Sequence, residues 1–256
     1  MCRSITNDEI KNALNSIDDN KAHGPNGYSF KFFKIAWYII VEDVCEAVQE
    51  FFTTGKLLGE LNATIISRVP KIRNPSKVSD FRPIELLKGY GCKQGKQRRA
   101  FKIDIMKACD IVIWVFLEEV FNGFGFPMQF VGWIMTCIKT ASFSNNVNCE
   151  SFSCFKGGKG QRQEDPISPY LFTIVMGILN LILQWKINQT RRFQCHQGCV
   201  ELKITSLCFA NDLLVLCNGD ANLVQVIKQD LEEFTEISSV HPNKGKSTMF
   251  CSNIST

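Results

Sequence analysis

The chain has 256 residues, 45% of them hydrophobic, with 29 Lys and Arg against 25 Asp and Glu for a net charge of +4. That composition supports a sizeable core and excludes collagenous, disordered and strongly polyanionic classes. The mildly basic balance permits nucleic-acid binding without demonstrating it.

Thr6-Asn7-Asp8-Glu9 has the form of a capping box, and Ile10, Ala13, Leu14 and Ile17 follow at helical spacing. A polar loop over residues 18–28, with Gly24-Pro25-Asn26-Gly27, ends that helix. Phe33, Trp37, Ile40, Val44, Val48 and Phe51 then stripe one face of a second helix that stops near Gly55. Such a stripe reads as core packing. Residues 63–69 are β-branched and predict a strand that Pro70 terminates. Lys71, Arg73, Lys77 and Arg82 cluster around Pro75 and Pro83, a pattern shared by solvated loops and phosphate-binding fingers. Residues 86–99, rich in Gly and basic side chains, predict an exposed loop and a subdomain boundary.

Residues 100–105 resume as a strand that carries Asp104 within it or at its end. A carboxylate in an apolar strand needs a partner, because burying it alone is costly. Two helices follow, around residues 112–121 and 128–139, and then a hairpin centred on Asn145-Asn146. Gly157-Gly158-Lys159-Gly160 reads as a flexible connector. In the polar turn at residues 161–169, Ser168 is expected to cap a buried helix through Leu183, with Pro169 at its first position. Its apolar run, residues 170–183, is shorter than a membrane span requires.

Two short apolar runs, residues 202–209 and 213–217, meet at Asn211-Asp212, predicting a β-hairpin with those two residues at its turn. A helix through Leu223, Ile227, Leu231 and Phe234, opened by Asp220, a basic turn at residues 241–246 and a last strand at 247–251 complete the chain. From residue 100 onward the order of elements is that of split βαβ units. The expected fold class is therefore α+β, an antiparallel sheet with helices on one face.

The twelve cysteines form no Cys-x-x-Cys pair and read as reduced, intracellular thiols. Cys195, His196 and Cys199 lack a second ligand pair at zinc spacing.

The chemistry converges on Asp104 and the Asn211-Asp212 tip, 108 residues apart in sequence but able to share a sheet. Carboxylates brought together in this way hold Mg²⁺ or Mn²⁺ and share it with substrate phosphates. Two such ions activate an attacking 3′-hydroxyl and stabilise a leaving pyrophosphate.

These stretches resemble the reverse transcriptase domain of non-LTR (LINE-type) retrotransposons, of the plant kind. The resemblance runs through residues 21–27 (Lys-Ala-His-Gly-Pro-Asn-Gly), Asp80-Phe81-Arg82-Pro83-Ile84 and residues 101–110. It continues through residues 162–172, Phe209-Ala210-Asn211-Asp212-Leu213-Leu214 and residues 243–250, in the family's order. It implies a right-hand polymerase with a helical N-terminal extension (1–60), a fingers remnant with a basic loop (61–99), a palm (100–256) and no thumb. The implied activity is RNA-directed DNA synthesis, with an RNA template, a DNA primer and dNTP as partners, and with no membrane. By the same resemblance Asp104 and Asp212 are metal ligands, and Arg82 contacts the triphosphate with help from Lys71. Gln163 touches nucleotide and template, and Lys246 stands near the leaving group.

The departures from the family pattern are specific. Asn211 stands where the family has the first Asp of the paired tip, which removes a metal-binding charge. Cys109 replaces the aromatic residue that excludes a ribose 2′-hydroxyl, and Glu164 replaces a glycine. Only 19 residues separate Ile84 from Asp104, where the family has several tens more. The resulting expectation is a reverse transcriptase domain impaired in catalysis. The alternatives are an active Mg²⁺-dependent polymerase, a non-catalytic nucleic-acid-binding remnant and a product without selected function.

Overall fold

The computed structural model describes residues 2–19, 28–59, 61–67, 98–106, 108–147, 150–162, 165–189, 206–209, 211–218 and 221–252. The chain divides into two compact units that interleave in sequence, residues 1–71 with 121–158 and residues 72–120 with 159–256.

In the first unit, α1 (Asn7–Ser16) starts on the expected capping box. The Thr6 side chain accepts from the Glu9 N–H, and the Glu9 carboxylate accepts from the Thr6 N–H. The single long helix expected next is two, α2 (Phe30–Ile35) and α3 (Trp37–Thr54), broken at Ala36. Gly55 closes α3 in the left-handed region at φ 68°, a conformation glycine adopts without steric cost. The aromatic stripe is only half-buried, and the side chain that α3 buries fully is Cys45.

In α5 (Met128–Lys139), Val131, Ile134, Met135 and Ile138 recur at helical spacing and are buried, as is Trp133. Trp133 meets the Phe52 ring edge-on, with centroids 4.9 Å apart. Burial of each such side chain stabilises the fold by about 1.5–3 kcal/mol.

Three strands complete this unit: β1 (Ala63–Ser67), β3 (Ser142–Val147) and β4 (Glu150–Lys156). β1 pairs parallel with β3, and β3 antiparallel with β4. Asn145 and Asn146 lie inside β3 rather than at the hairpin turn, and the β3–β4 register shifts between Ser144 and Asn145. The local polarity that marked them as a turn coincides with that irregularity.

The second unit is built on a four-stranded antiparallel sheet in the order β5-β6-β2-β7. Its strands are β2 (Arg98–Asp104), β5 (Ser206–Phe209), β6 (Asp212–Asn218) and β7 (Thr248–Ser252). Arg98 and Arg99 are part of β2, paired with β6 and β7, so the basic loop expected through residue 99 ends before them. Leu213, Leu214, Val215 and Leu216 are all buried, as an inner strand covered on both faces requires.

The second unit also holds α6 (Ser168–Gln189), α7 (Ala221–Ser238), a 3₁₀ turn at Ala108–Asp110 and α4 (Trp114–Gly123) up to Val120. Phe116 and Phe234 meet edge-on, with centroids 6.1 Å apart. α6 runs six residues past Leu183, and its Ser168–Lys186 segment is long and apolar enough to cross a membrane by length and composition. The apolar run read from the sequence, residues 170–183, is the middle of that longer helix. In this fold Leu171, Phe172, Val175, Met176, Leu179 and Leu183 are buried, and α6 packs on α7. Ser168, expected as the cap, is buried at the first position of the helix. Its hydroxyl donates to the Arg162 carbonyl oxygen (2.8 Å).

Candidate active site

Asp104 ends β2 and Asp212 begins β6, and the two are direct register partners. Residues so paired project from the same face of a sheet. The Ile105 N–H donates to the Asn211 carbonyl oxygen (2.7 Å), one residue outside the pair. That bond makes Asp104 and Asp212 a non-hydrogen-bonded pair, the class whose Cα atoms lie about 4.5 Å apart and whose side chains stand closest. Both residues are half-buried.

The hairpin tip differs from expectation by one residue. Phe209 pairs with Asp212, so Asp212 is already in the strand and Asn211 lies in the turn before it. Among the described residues the non-glycine with positive φ is Ser239, so Asn211 does not use the left-handed backbone expected of it. This register brings Phe209, 66% exposed, onto the carboxylate face beside Asp212.

Asp104 is fixed from the other side by the turn that precedes β7. The Asn243 N–H donates to the Asp104 carbonyl oxygen (2.7 Å), and the Asp104 N–H donates to Ser247 Oγ (3.3 Å). Ser247 Oγ in turn donates to the Asn243 carbonyl oxygen (2.8 Å), closing a ring of three hydrogen bonds. The Lys246 N–H donates to the same Asn243 carbonyl oxygen, so the turn that carries exposed Lys246 is fastened to the Asp104 backbone.

A second fastening joins the 3₁₀ turn to the loop before α6. Gly160, expected in a flexible connector, is held on every side. Its φ is +81°, and a Cβ there would lie 2.2 Å from the Asp110 carbonyl oxygen. Its N–H donates to the Val112 carbonyl oxygen (2.8 Å), and its own carbonyl oxygen accepts from Trp114 Nε1 (2.6 Å). The Gln161 N–H donates to the Cys109 carbonyl oxygen (2.7 Å). Cys109 is half-buried; burial pushes its thiol up, and the Asp110 charge adds to the shift. The Gln161 side chain is buried with both polar atoms unpartnered.

The structure thus brings together Asp104, Asp212, Asn211 and the turn bearing Lys246, and ties Cys109 to Gln161. Lys71, Arg82 and Gln163 lie outside the described residues, as do Glu164 and the Cys195, His196, Cys199 group. Sequence reasoning missed Lys102, whose ammonium lies 3.1 Å from Asp212 Oδ1. Its signal was present, since two residues before Asp104 on a strand is the same face. It also missed Trp114, Asn243 and Ser247, whose contacts to Gly160 and Asp104 are long-range.

Two opposed carboxylates suit one hard divalent cation that takes its remaining oxygens from water or substrate phosphate. Among the described residues no group of three or more His, Cys, Asp and Glu side chains gathers as a metal-binding cluster.

Residues 53–255 match the family described as reverse transcriptase (RNA-dependent DNA polymerase). The chain belongs to that reverse transcriptase family. It is 20% identical to a curated relative, the transposon TX1 uncharacterized 149 kDa protein of Xenopus laevis, over 95% of this chain and 22% of that protein. The chain therefore spans about a fifth of the relative's length. The aligned stretch, 294 residues, exceeds the whole 256-residue chain, so the relative carries residues that this one lacks. Both findings bear out the retrotransposon reverse transcriptase reading of the motifs.

Solved structures similar to this chain include an apo telomerase from Candida tropicalis truncated from its C-terminal domain. It is 11% identical, with TM-score 0.48, over 96% of this chain and 46% of that one. Another is a Candida albicans telomerase in complex with a TWJ fragment of telomeric RNA, 12% identical, with TM-score 0.46, over 67% of this chain and 29% of that one.

Proposed function

We propose that the four-stranded sheet is the palm of a LINE-type reverse transcriptase of the plant kind, which positions a DNA primer on an RNA template and is impaired in nucleotide addition. The observation that carries this reading is the pairing of Asp104 with Asp212 on one face of the sheet. A bound Mg²⁺ or Mn²⁺ supplies charge stabilisation for the attacking and leaving oxygens.

The chain's own residues do the rest. Asp104 and Asp212 hold the cation, and the Asn243–Ser247 ring keeps the Asp104 backbone in place. Phe209 offers an exposed apolar surface beside the acids for the primer's terminal nucleotide. Lys246 neutralises the leaving group from its turn, and Cys109 borders the sugar. Arg82, Lys71 and Gln163 contact the triphosphate and template. Asn211 withholds one carboxylate from a site built on charge. Loss of one preorganised electrostatic contact costs on the order of 10²–10³ in rate, and this loss is at least comparable.

Primer extension on an RNA template with Mg²⁺ or Mn²⁺ tests the reading. The native chain is expected to incorporate nucleotide at about the Asp104→Ala background, and Asn211→Asp to rise above it by about 10²-fold or more. Robust extension by the native chain contradicts the impairment. Failure of Asn211→Asp to raise it shows that the missing carboxylate is not the main defect.

A further inference from the structure

We propose that Lys102 is the resident counter-ion of the carboxylate pair and governs how tightly that pair takes a divalent cation. The proposal rests on the reading of Asp104 and Asp212 as cation ligands and extends it to a residue with no previous role.

Lys102 lies on β2 two residues before Asp104, so its side chain leaves the sheet on the carboxylate face. Its ammonium lies 3.1 Å from Asp212 Oδ1, diagonally across the β2–β6 pair. Directly opposite Lys102 stands Leu214, and one step further along this face are Ala100 and Leu216, all three buried. On the β6 side, away from the acids, the face around Lys102 is therefore apolar, and on the β7 side its register partner is the neutral, exposed Thr248. The anionic partner the ammonium takes along this part of the sheet is Asp212.

The charge count makes this contact consequential. Two carboxylates and one ammonium leave a single net negative charge, and Asn211 adds none. A divalent cation reaching Asp212 must displace the ammonium from Oδ1 or bind beside it against its charge. Cation binding is thus an exchange, in which Lys102 swings off Asp212 as the metal arrives. With a third carboxylate at position 211 the exchange would be driven by three negative charges; with Asn211 it is driven by two. Lys102 therefore weighs more in this chain than it would beside a full acidic set. The side chains of Lys102 and Asp212 are 36% and 41% exposed, so solvent screens the pair. On that ground the lysine shifts the cation equilibrium by about three- to tenfold.

The test is a Mn²⁺ titration of the full chain, read from the electron paramagnetic resonance signal of free aqueous Mn²⁺. It compares the native chain with Lys102→Met, Lys102→Arg, Asp212→Asn and the Lys102→Met, Asp212→Asn double variant, each checked for native circular dichroism. Lys102→Met is expected to tighten Mn²⁺ binding by about three- to tenfold, whereas Lys102→Arg stays near the native value. In the Asp212→Asn background, Lys102→Met is expected to have little further effect, because the bridge is already gone. Equal affinity of the native chain and Lys102→Met overturns the proposal while leaving the cation site standing. An equal gain with and without Asp212 also overturns it, since the lysine would then act as a distant charge. Mn²⁺ binding that is absent, or indifferent to Asp104 and Asp212, removes the cation site and this proposal with it. Should Lys102→Met fail to fold, Lys102→Gln carries the same comparison.

Discussion

Asp230 of α7 is the most exposed energetic weakness of the second unit. Its side chain is 1% accessible, and neither carboxylate oxygen has a hydrogen-bond partner. The nearest cation, Lys186 of α6, stands 3.9 Å away and lies closer to Glu233, at 3.1 Å. Burial pushes the Asp230 carboxyl up to about 6; the Lys186 charge works against that shift and the Glu233 charge adds to it. The unfolded chain releases the same proton near pH 4. Between about pH 4 and pH 6 the folded protein holds a proton that the unfolded chain has lost. Stability from this group is therefore present at the acid end, declines as pH rises through that window and is level above it. A gap of about two pH units corresponds to about 2–3 kcal/mol. Asp230→Asn keeps the volume and removes the charge, so it is expected to stabilise the protein at pH 8 by about that amount and to change little at pH 4.5. Urea unfolding of both proteins at the two pH values measures the difference. An equal effect of the substitution at pH 4.5 and pH 8, or a loss of stability at pH 8, refutes the reasoning.

Gly160→Ala is expected to cost more than about 2 kcal/mol, because the new Cβ meets the Asp110 carbonyl oxygen in a backbone region unfavourable to L-residues. A urea midpoint within error of native contradicts the close approach. Trp114→Phe removes the indole donor to Gly160 and is expected to cost about 1–3 kcal/mol, since a carbonyl oxygen loses its partner. The same unfolding assay checks it, with faster alkylation of half-buried Cys109 as a local readout of the loosened turn.

How much could be read from the chain alone depended on how local each cause was. The Thr6 capping box and the helical period of Val131, Ile134 and Ile138 act within a few residues, and both were visible in the sequence. Asp104 was legible as a carboxylate out of place in an apolar strand, and the register of β2 against β6 sets Asp212 opposite it. The hairpin tip was off by one residue, because an apolar run followed by Asn-Asp does not say whether Asp212 turns or pairs. The break at Ala36 carries no Gly or Pro to announce it. Gly160 looked like slack because its constraint comes from Asp110, fifty residues earlier in the chain. Lys102 looked like a charge on a strand until the register of β2 against β6 set it beside Asp212.

Crystals grown with Mn²⁺ and measured at its absorption edge test the cation site most directly. The expected result is an anomalous peak within about 2.5 Å of oxygens from both Asp104 and Asp212, lost in Asp104→Ala. A bound ion that touches neither carboxylate, or a peak that persists in Asp104→Ala, contradicts the account.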